Sequence, residues 1–261
     1  MIECRLCHAS AAHTFDRLVL SKYTVGYYKC FGCGSLQTET PYWLTEAYDG
    51  GNLTASDAGP CVRSLNSLAL IYVSAKILGF PANAKVLDFG GGSGLLTRLL
   101  RDQGFDARWY DAYARNDLAQ GYDDDGSIPD IICSFEVAEH LAEPATELAP
   151  LFQRGAALLI IGTETFRDQG PEWWYISPQS GQHIFFYTQA GMAALANRFG
   201  YTYERLSSTH IFTRRPIGKG RGRMLWRALT PFSMRLIRAW LGFRLTNDFA
   251  ARDMNAVLSK V

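Results

Sequence analysis

The segment that most limits what this chain can fold into is Lys85-Val86-Leu87-Asp88-Phe89-Gly90-Gly91-Gly92-Ser93-Gly94, an apolar run of strand character that breaks into glycines. A helical pattern, Ser93 to Asp102, begins at once. Glycines at a strand-to-helix turn let backbone approach a ligand closely, and the helix N-terminus presents unpaired N–H groups there. The alternation continues. Ala107 to Tyr110, Asp130 to Phe135 and Ala156 to Gly162 read as strands, with helices predicted from after Phe135 through about Gln153 and over Gln189 to Phe199. Strands alternating with helices predict an α/β fold on a mostly parallel sheet, and Thr202 to Thr213 reads as an antiparallel pair closing it.

The loop lacks the third glycine of a dinucleotide fingerprint, since Gly90 and Gly92 are followed by Leu95. Its acid-x-G-x-G-x-G form, Asp88, Gly90, Gly92 and Gly94, instead resembles motif I of class I S-adenosylmethionine-dependent methyltransferases. That resemblance implies a Rossmann-like domain with a sheet of the seven-stranded type. It also implies that Asp88, Gly90, Gly91, Gly92 and Gly94 contact the cofactor S-adenosylmethionine. Asp111 closes the next strand, where a carboxylate can accept ribose hydroxyls or cap a helix. The stretch Phe135-Glu136-Val137-Ala138-Glu139-His140-Leu141, with Pro144 soon after, is similar to one found in many small-molecule and sugar methyltransferases. By that similarity Ser134, Phe135 and Glu136 pass beside the methionine part of the cofactor, and Glu139 and His140 form the pocket floor. Capping and packing are the competing roles for that pair. Cys133, mid-strand, reads as a core residue. The span from Asp111 to Asp130 is short for the family, so the usual adenine contact has no clear place in it, and Tyr122 and Asp123 are named only as candidates.

Cys4-Arg5-Leu6-Cys7 and Cys30-Phe31-Gly32-Cys33 form two C-x2-C pairs. Each pair can chelate from one knuckle, so Cys4, Cys7, Cys30 and Cys33 predict a closed, structural zinc site (Zn2+) in a zinc-ribbon hairpin that includes Tyr23 to Lys29. The haem-attachment pattern C-x-x-C-H also fits Cys4 to His8 but leaves the second pair unexplained. An N-terminal pair of pairs before such a domain resembles zinc-binding sugar methyltransferases of bacterial secondary-metabolite and surface-glycan pathways, which are larger.

The long segment Gly170 to Tyr187 is rich in aromatic residues and falls where strand C-terminal loops line a site. Aromatic faces suit stacking on a sugar ring or hydrocarbon, so Trp173, Trp174, Tyr175, Gln182 and Tyr187 are candidate substrate contacts. His183 occupies a position resembling that of the His before an aromatic run in the sugar methyltransferases. It becomes the candidate general base, with Glu139 and His140 as further catalytic candidates.

The formal net charge of +1 conceals an asymmetry. Eleven Lys/Arg stand against Asp248 and Asp253 from Arg214 onward, and fifteen against twenty-three acidic residues before it. With Trp226, Leu236, Trp240 and Phe243 interleaved, the basic segment reads either as a peripheral anchor on an anionic membrane or as a tail docked on the chain's own body. The N-terminus has no basic stretch followed by an apolar one, and no segment approaches eighteen uninterrupted apolar residues. The expected location is therefore cytoplasmic, peripheral at the inner membrane face if the tail anchors. The expected segments are a zinc-ribbon-like module 1–38, a linker and lead-in helix 39–80, a Rossmann-like methyltransferase domain 81–213 and a basic helical segment 214–261. The expected activity is methylation of a small-molecule or glycan acceptor, most simply a sugar hydroxyl. RNA base methylation and a non-catalytic cofactor-binding scaffold are the alternatives, with nucleic acid the less favoured partner.

Overall fold

The computed structural model describes residues 1–49, 59–244 and 247–258. The Gly/Asn/Ser/Asp stretch ahead of the lead-in helix lies, over 50–58, outside the described residues. In chain order the elements are β1 (Ile2–Glu3), β2 (Ser10–Val19), β3 (Tyr23–Cys30), β4 (Leu36–Thr38), α1 (Leu44–Tyr48), α2 (Pro60–Leu78), β5 (Lys85–Phe89), α3 (Leu95–Asp102), β6 (Asp106–Tyr110) and β7 (Ile131–Phe135). They continue with α4 (Pro144–Glu147), α5 (Ala149–Gln153), β8 (Leu158–Gly162), β9 (Phe185–Phe186), α6 (Gln189–Arg198), β10 (Thr202–Leu206), β11 (Thr209–Thr213), α7 (Lys219–Ala228), α8 (Pro231–Phe243) and α9 (Asn247–Leu258). The strands form a five-stranded sheet, β1-β2-β3-β4-β9, and a six-stranded sheet, β10-β11-β8-β7-β5-β6.

Six strands replace the expected seven among the described residues, and the cause lies between Tyr110 and Ile131. That stretch folds into turns strapped to β6, with Trp109 N–H donating to Tyr122 O at 2.8 Å and Asp124 N–H to Trp109 O at 2.8 Å. A parallel crossover needs a dozen or more residues, usually helical, and the strapped turns leave none for it. The single helix expected from after Phe135 to Gln153 is likewise divided. A 3-10 turn over Ala138–His140 precedes α4, which starts at Pro144, a residue that cannot continue a preceding helix.

The chain divides into two compact units that are not contiguous in sequence. The first is Met1–Ala58, Glu136–Gln153 and Ile161–Phe212; the second is Gly59–Phe135, Arg154–Ile160 and Thr213–Val261. In the first unit β2 and β3 form an antiparallel hairpin, β3 pairs with β4, and β4 pairs with β9 through Leu36↔Phe186 and Gln37↔Phe185. The cysteine-bearing hairpin and the aromatic segment thus share one sheet. They also share one core, in which Val25, Tyr27, Leu36 and Trp43 pack with Phe166, Tyr175, Ile184 and Phe186.

In the second unit β5 lies between β6 and β7 and pairs in parallel with both. Helix α2 is long and apolar enough to cross a membrane by composition, but its stretch Ser67–Ala75 is buried within this unit. The basic tail packs here on one side. Tyr72 meets Trp240 edge-on at 5.7 Å, and Gln103 Nε2 donates to Leu241 O at 3.2 Å. Helix α9 is fixed by Asp253, which accepts from Arg101 Nε at 2.6 Å and from Arg98 at 2.9 Å. Burial alone would raise that carboxyl's pKa, but the two arginines hold it below the ordinary range.

Candidate active site

The candidate site residues fall into two groups, one in each unit. In the second unit the turn after β5 is held by Gly90 and Gly91 N–H, which donate to Tyr110 O at 2.7 and 3.1 Å. The glycines are required for different reasons. A Cβ at Gly91 would lie 2.6 Å from Cδ1 of Trp109, so the indole wall excludes any side chain there. Gly92 adopts a φ of +54°, and a Cβ on it would meet nothing within 4 Å. Open space is therefore left beside Gly92, as a loop that receives a ligand requires.

Asp111 holds this loop. Its Oδ2 accepts Gly92 N–H at 3.0 Å, and its Oδ1 accepts Tyr113 and Ala114 N–H, each at 2.8 Å. The carboxylate is half-buried and closes the bends that follow it instead of capping a helix, since no helix lies between β6 and β7 among the described residues. Asp88 is placed differently from the expectation. It is buried, accepts Thr97 Oγ1 at 2.8 Å, and fastens α3 to β5 instead of facing a ligand. Burial lifts its carboxyl to about 6. Cys133 is a core thiol as read, its pKa pushed up by burial. Ser134 is buried with Oγ unpartnered, and Phe135 is half-buried at the strand end. Of the adenine candidates, Tyr122 has its ring covered by the Arg101 guanidinium at 3.4 Å, and Asp123 accepts Asn116 Nδ2 at 3.0 Å. Both are committed to the turn. Thr97 and Asn116 went unseen in sequence because single polar residues without spacing give no signal.

In the first unit Glu136, the residue after β7, takes a φ of +54°, rare for a side chain of its size, while its N–H donates to Gly162 O at 2.9 Å. Glu139 is fully buried. Its Oε1 accepts the Tyr175 hydroxyl at 2.6 Å, and its Oε2 has no hydrogen-bond partner. Tyr175 Oη also lies 3.2 Å from Thr163 Oγ1 and 3.4 Å from Glu136 Oε2.

Two imidazoles stand beside this carboxylate. His183 Nδ1 is 2.6 Å from Tyr175 O, and His140 Nδ1 is 3.1 Å from Gln182 O. A carbonyl only accepts, so this network assigns the proton to Nδ1 in both rings, and in the neutral form each Nε2 carries a lone pair. The rings meet edge to face at 4.9 Å. Burial lowers the His183 pKa, which favours the neutral form. Glu139, His140 and His183 each bring a ligand-type atom within 4.8 Å of the others.

The aromatic segment splits into inner and outer parts. Trp174 is 71% exposed, while Trp173 is half-buried against Phe166 and Phe186. Gln169 to Trp174 line an open depression of about 460 Å³. Gln182 and Tyr187, expected to meet substrate, are enclosed. Gln182 Nε2 donates to Ala47 O at 2.8 Å and Tyr187 Oη to Ala138 O at 2.8 Å, so both hold backbone. Arg5 was also missed. Lying between two cysteines, it donates to Ile184 O at 2.7 Å and Ala142 O at 3.0 Å, beside both histidine segments.

The four cysteines converge, with Cys4 and Cys33 Sγ 3.8 Å apart and Cys7 and Cys30 Sγ 3.4 Å apart. Four sulfurs at ~2.3 Å from a tetrahedral zinc stand about 3.8 Å from one another, so the donor set fits. Gly32 and Cys33 N–H donate to Cys30 Sγ at 3.2 and 3.4 Å, as around a knuckle thiolate.

Solved structures similar to this chain include 1,6-didemethyltoxoflavin-N1-methyltransferase of Burkholderia thailandensis, 17% identical at a TM-score of 0.45, the match covering 66% of this chain and 84% of that one. Magnesium protoporphyrin IX methyltransferase of Synechocystis is 15% identical at a TM-score of 0.39, covering 65% and 90%. A SAM-dependent methyltransferase of Aquifex aeolicus is 15% identical at 0.39, covering 62% and 94%. No curated protein matches the chain. The model of the methyltransferase domain family matches residues 64–206, more than half of the sequence, and the chain belongs to that family.

Proposed function

We propose that the chain is a class I S-adenosylmethionine-dependent methyltransferase acting on a small-molecule or glycan acceptor, with a sugar hydroxyl receiving the methyl group. The cysteines hold a structural zinc, in keeping with a reducing, cytoplasmic setting. The observation that carries the acceptor reading is the His183 imidazole, favoured neutral by burial and fixed by Tyr175 O so that Nε2 is the basic nitrogen. A hydroxyl must lose its proton when it is methylated, whereas a softer nucleophile need not.

S-adenosylmethionine, when bound, supplies a sulfonium methyl group for in-line displacement. Gly90 to Gly94 and Asp111 would hold it, with Ser134 and Phe135 at the end of the adjacent strand. With the cofactor bound, His183 Nε2 would take the proton of the acceptor hydroxyl. Glu139, hydrogen-bonded by Tyr175, stabilises the resulting imidazolium and holds the charge balance of the cluster. His140 orders the Gln182–His183 segment through Gln182 O. Trp173 and Trp174 offer aromatic faces to a ring.

The test is transfer of labelled methyl from S-adenosylmethionine to a panel of nucleotide sugars, glycans and ribosomal RNA. Methylated sugar that vanishes in His183→Ala supports the reading. Transfer to RNA alone overturns the acceptor. Cofactor binding with no turnover of any acceptor class assigns the chain to a scaffold.

A further inference from the structure

The outer face of α7 and α8 is left unused by the packing of the second unit. In these helices only Leu225 and Leu241 are buried. Trp226, Phe232, Leu236 and Phe243 are exposed by 66%, 73%, 56% and 90%. At 3.6 residues per turn Phe232, Leu236, Ala239 and Phe243 fall on one stripe of α8, opposite Leu241. Arg235 flanks that stripe, and α7 adds Lys219, Arg221, Arg223 and Arg227, all exposed. Arg238 reaches Asn66 Oδ1 at 2.7 Å, which sets the exposed start of α2, with Val62 and Leu65, beside α8. From Arg214 to Arg244 there are nine basic residues, and no acidic residue occurs between Glu204 and Asp248.

The two properties together select the occupant. A polyanion such as RNA would meet the arginines but leave the Phe232, Leu236 and Phe243 stripe in water. An uncharged apolar protein face would cover the stripe and offer no anion to the exposed basic residues of α7. An anionic bilayer satisfies both, with aromatic and leucine side chains at the acyl boundary and arginines among the headgroup phosphates. We propose that this face is a peripheral docking surface for an anionic lipid bilayer, with α7 and α8 lying in the headgroup plane. The binding goes beyond methyl transfer and does not depend on the acceptor.

The experiment is co-sedimentation of the full chain with phosphatidylcholine vesicles, alone or containing phosphatidylglycerol, at low and high salt. Expected are binding to the anionic vesicles only, and loss of most of it at high salt as the charge term is screened. Phe232→Ser with Phe243→Ser should weaken it at least about tenfold while cofactor affinity stays at the parent value, since each change removes apolar surface that docking on the bilayer would bury. Arg223→Glu with Arg227→Glu should do the same. Negligible or equal binding to both vesicle types overturns the proposal. So does RNA binding without vesicle binding, or a dimer by light scattering that the two serine changes dissociate and that ignores vesicles.

Discussion

The glycine loop and the histidine cluster are built on opposite plans. Around the loop the contacts are mostly local, because Asp88 meets Thr97, Asp111 meets Gly92, and Gly90 and Gly91 meet Tyr110, with the Cys133 thiol on Asp88 the longer-range one. The cluster in the first unit is assembled from distant segments. Glu139 and His140 follow β7, Tyr175 and His183 come from the aromatic segment, and Arg5 holds Ile184 O from between Cys4 and Cys7. Strand β9, two residues after His183, is seated on β4 of the cysteine-bearing sheet, and Thr188 donates to Cys33 O. The loop's geometry is thus written largely into a short stretch of sequence. The geometry of the histidine cluster depends on the sheet that carries the four cysteines.

The largest expected effect separates the two at once. Cys4→Ser or Cys30→Ser, or stripping the native metal with a chelator, should abolish methyl transfer while S-adenosylmethionine still binds, because a structural zinc contributes folding energy to its own unit. Metal analysis with calorimetry checks it. About one zinc per chain is expected in the parent. Stoichiometric zinc persisting in both variants would remove the metal assignment, and parallel loss of rate and cofactor affinity would break the comparison.

His183→Ala comes next, with kcat expected to fall about 10²- to 10⁴-fold at unchanged cofactor affinity. Tyr175→Phe leaves Glu139 with both carboxylate oxygens unpartnered and should cost about tenfold in kcat, the scale of a hydrogen bond to a charged group. A near-normal rate for His183→Ala would return that residue to a purely structural role.

On the cofactor side, Gly92→Val projects a side chain into the open space beside the loop, at a φ that valine adopts only under strain. A loss of affinity of at least about tenfold is expected from that strain and occlusion. Asp111→Ala should weaken binding by at least about tenfold, since the Gly92, Tyr113 and Ala114 N–H groups that hold the loop lose their acceptor. Titration calorimetry reads both, and unchanged affinity in both would make the loop a structural turn.

The same contrast explains what the sequence revealed. Gly90 to Gly94 and the two cysteine pairs are visible because their chemistry is encoded in spacing over a few residues. Strand β9 is two residues long and shows no period, so its pairing with β4 across about 150 positions had no local signature. Gln182 and Tyr187 looked like ligand contacts because polar and aromatic side chains in a long loop read as exposed. That they turn inward to Ala47 O and Ala138 O depends on that unseen pairing. The six-stranded sheet followed from a short span that was visible, though the strapping of Tyr122 and Asp124 to Trp109 was not.

The smallest expected effect is the pH dependence, where burial shifts the titrating groups of the two regions in opposite directions. Burial lowers the His183 pKa from its ordinary 6.5, and the base works in its neutral form, so kcat at saturating cofactor should fall on the acid side with a midpoint below 6.5. Between pH 7 and 8 the imidazole is already neutral, and kcat should change less than about 1.5-fold. Burial moves Asp88 the other way, up to about 6, so its carboxylate is lost earlier as pH falls. Because that carboxylate anchors α3 through Thr97, cofactor affinity should weaken as pH drops through about 6. Asp88→Asn should flatten the affinity profile while leaving the kcat midpoint in place, and His183→Ala should flatten residual kcat while leaving the affinity midpoint in place. A single midpoint that moves with either substitution would mean that the loop and the cluster titrate as one group, and the separation drawn between them would fail.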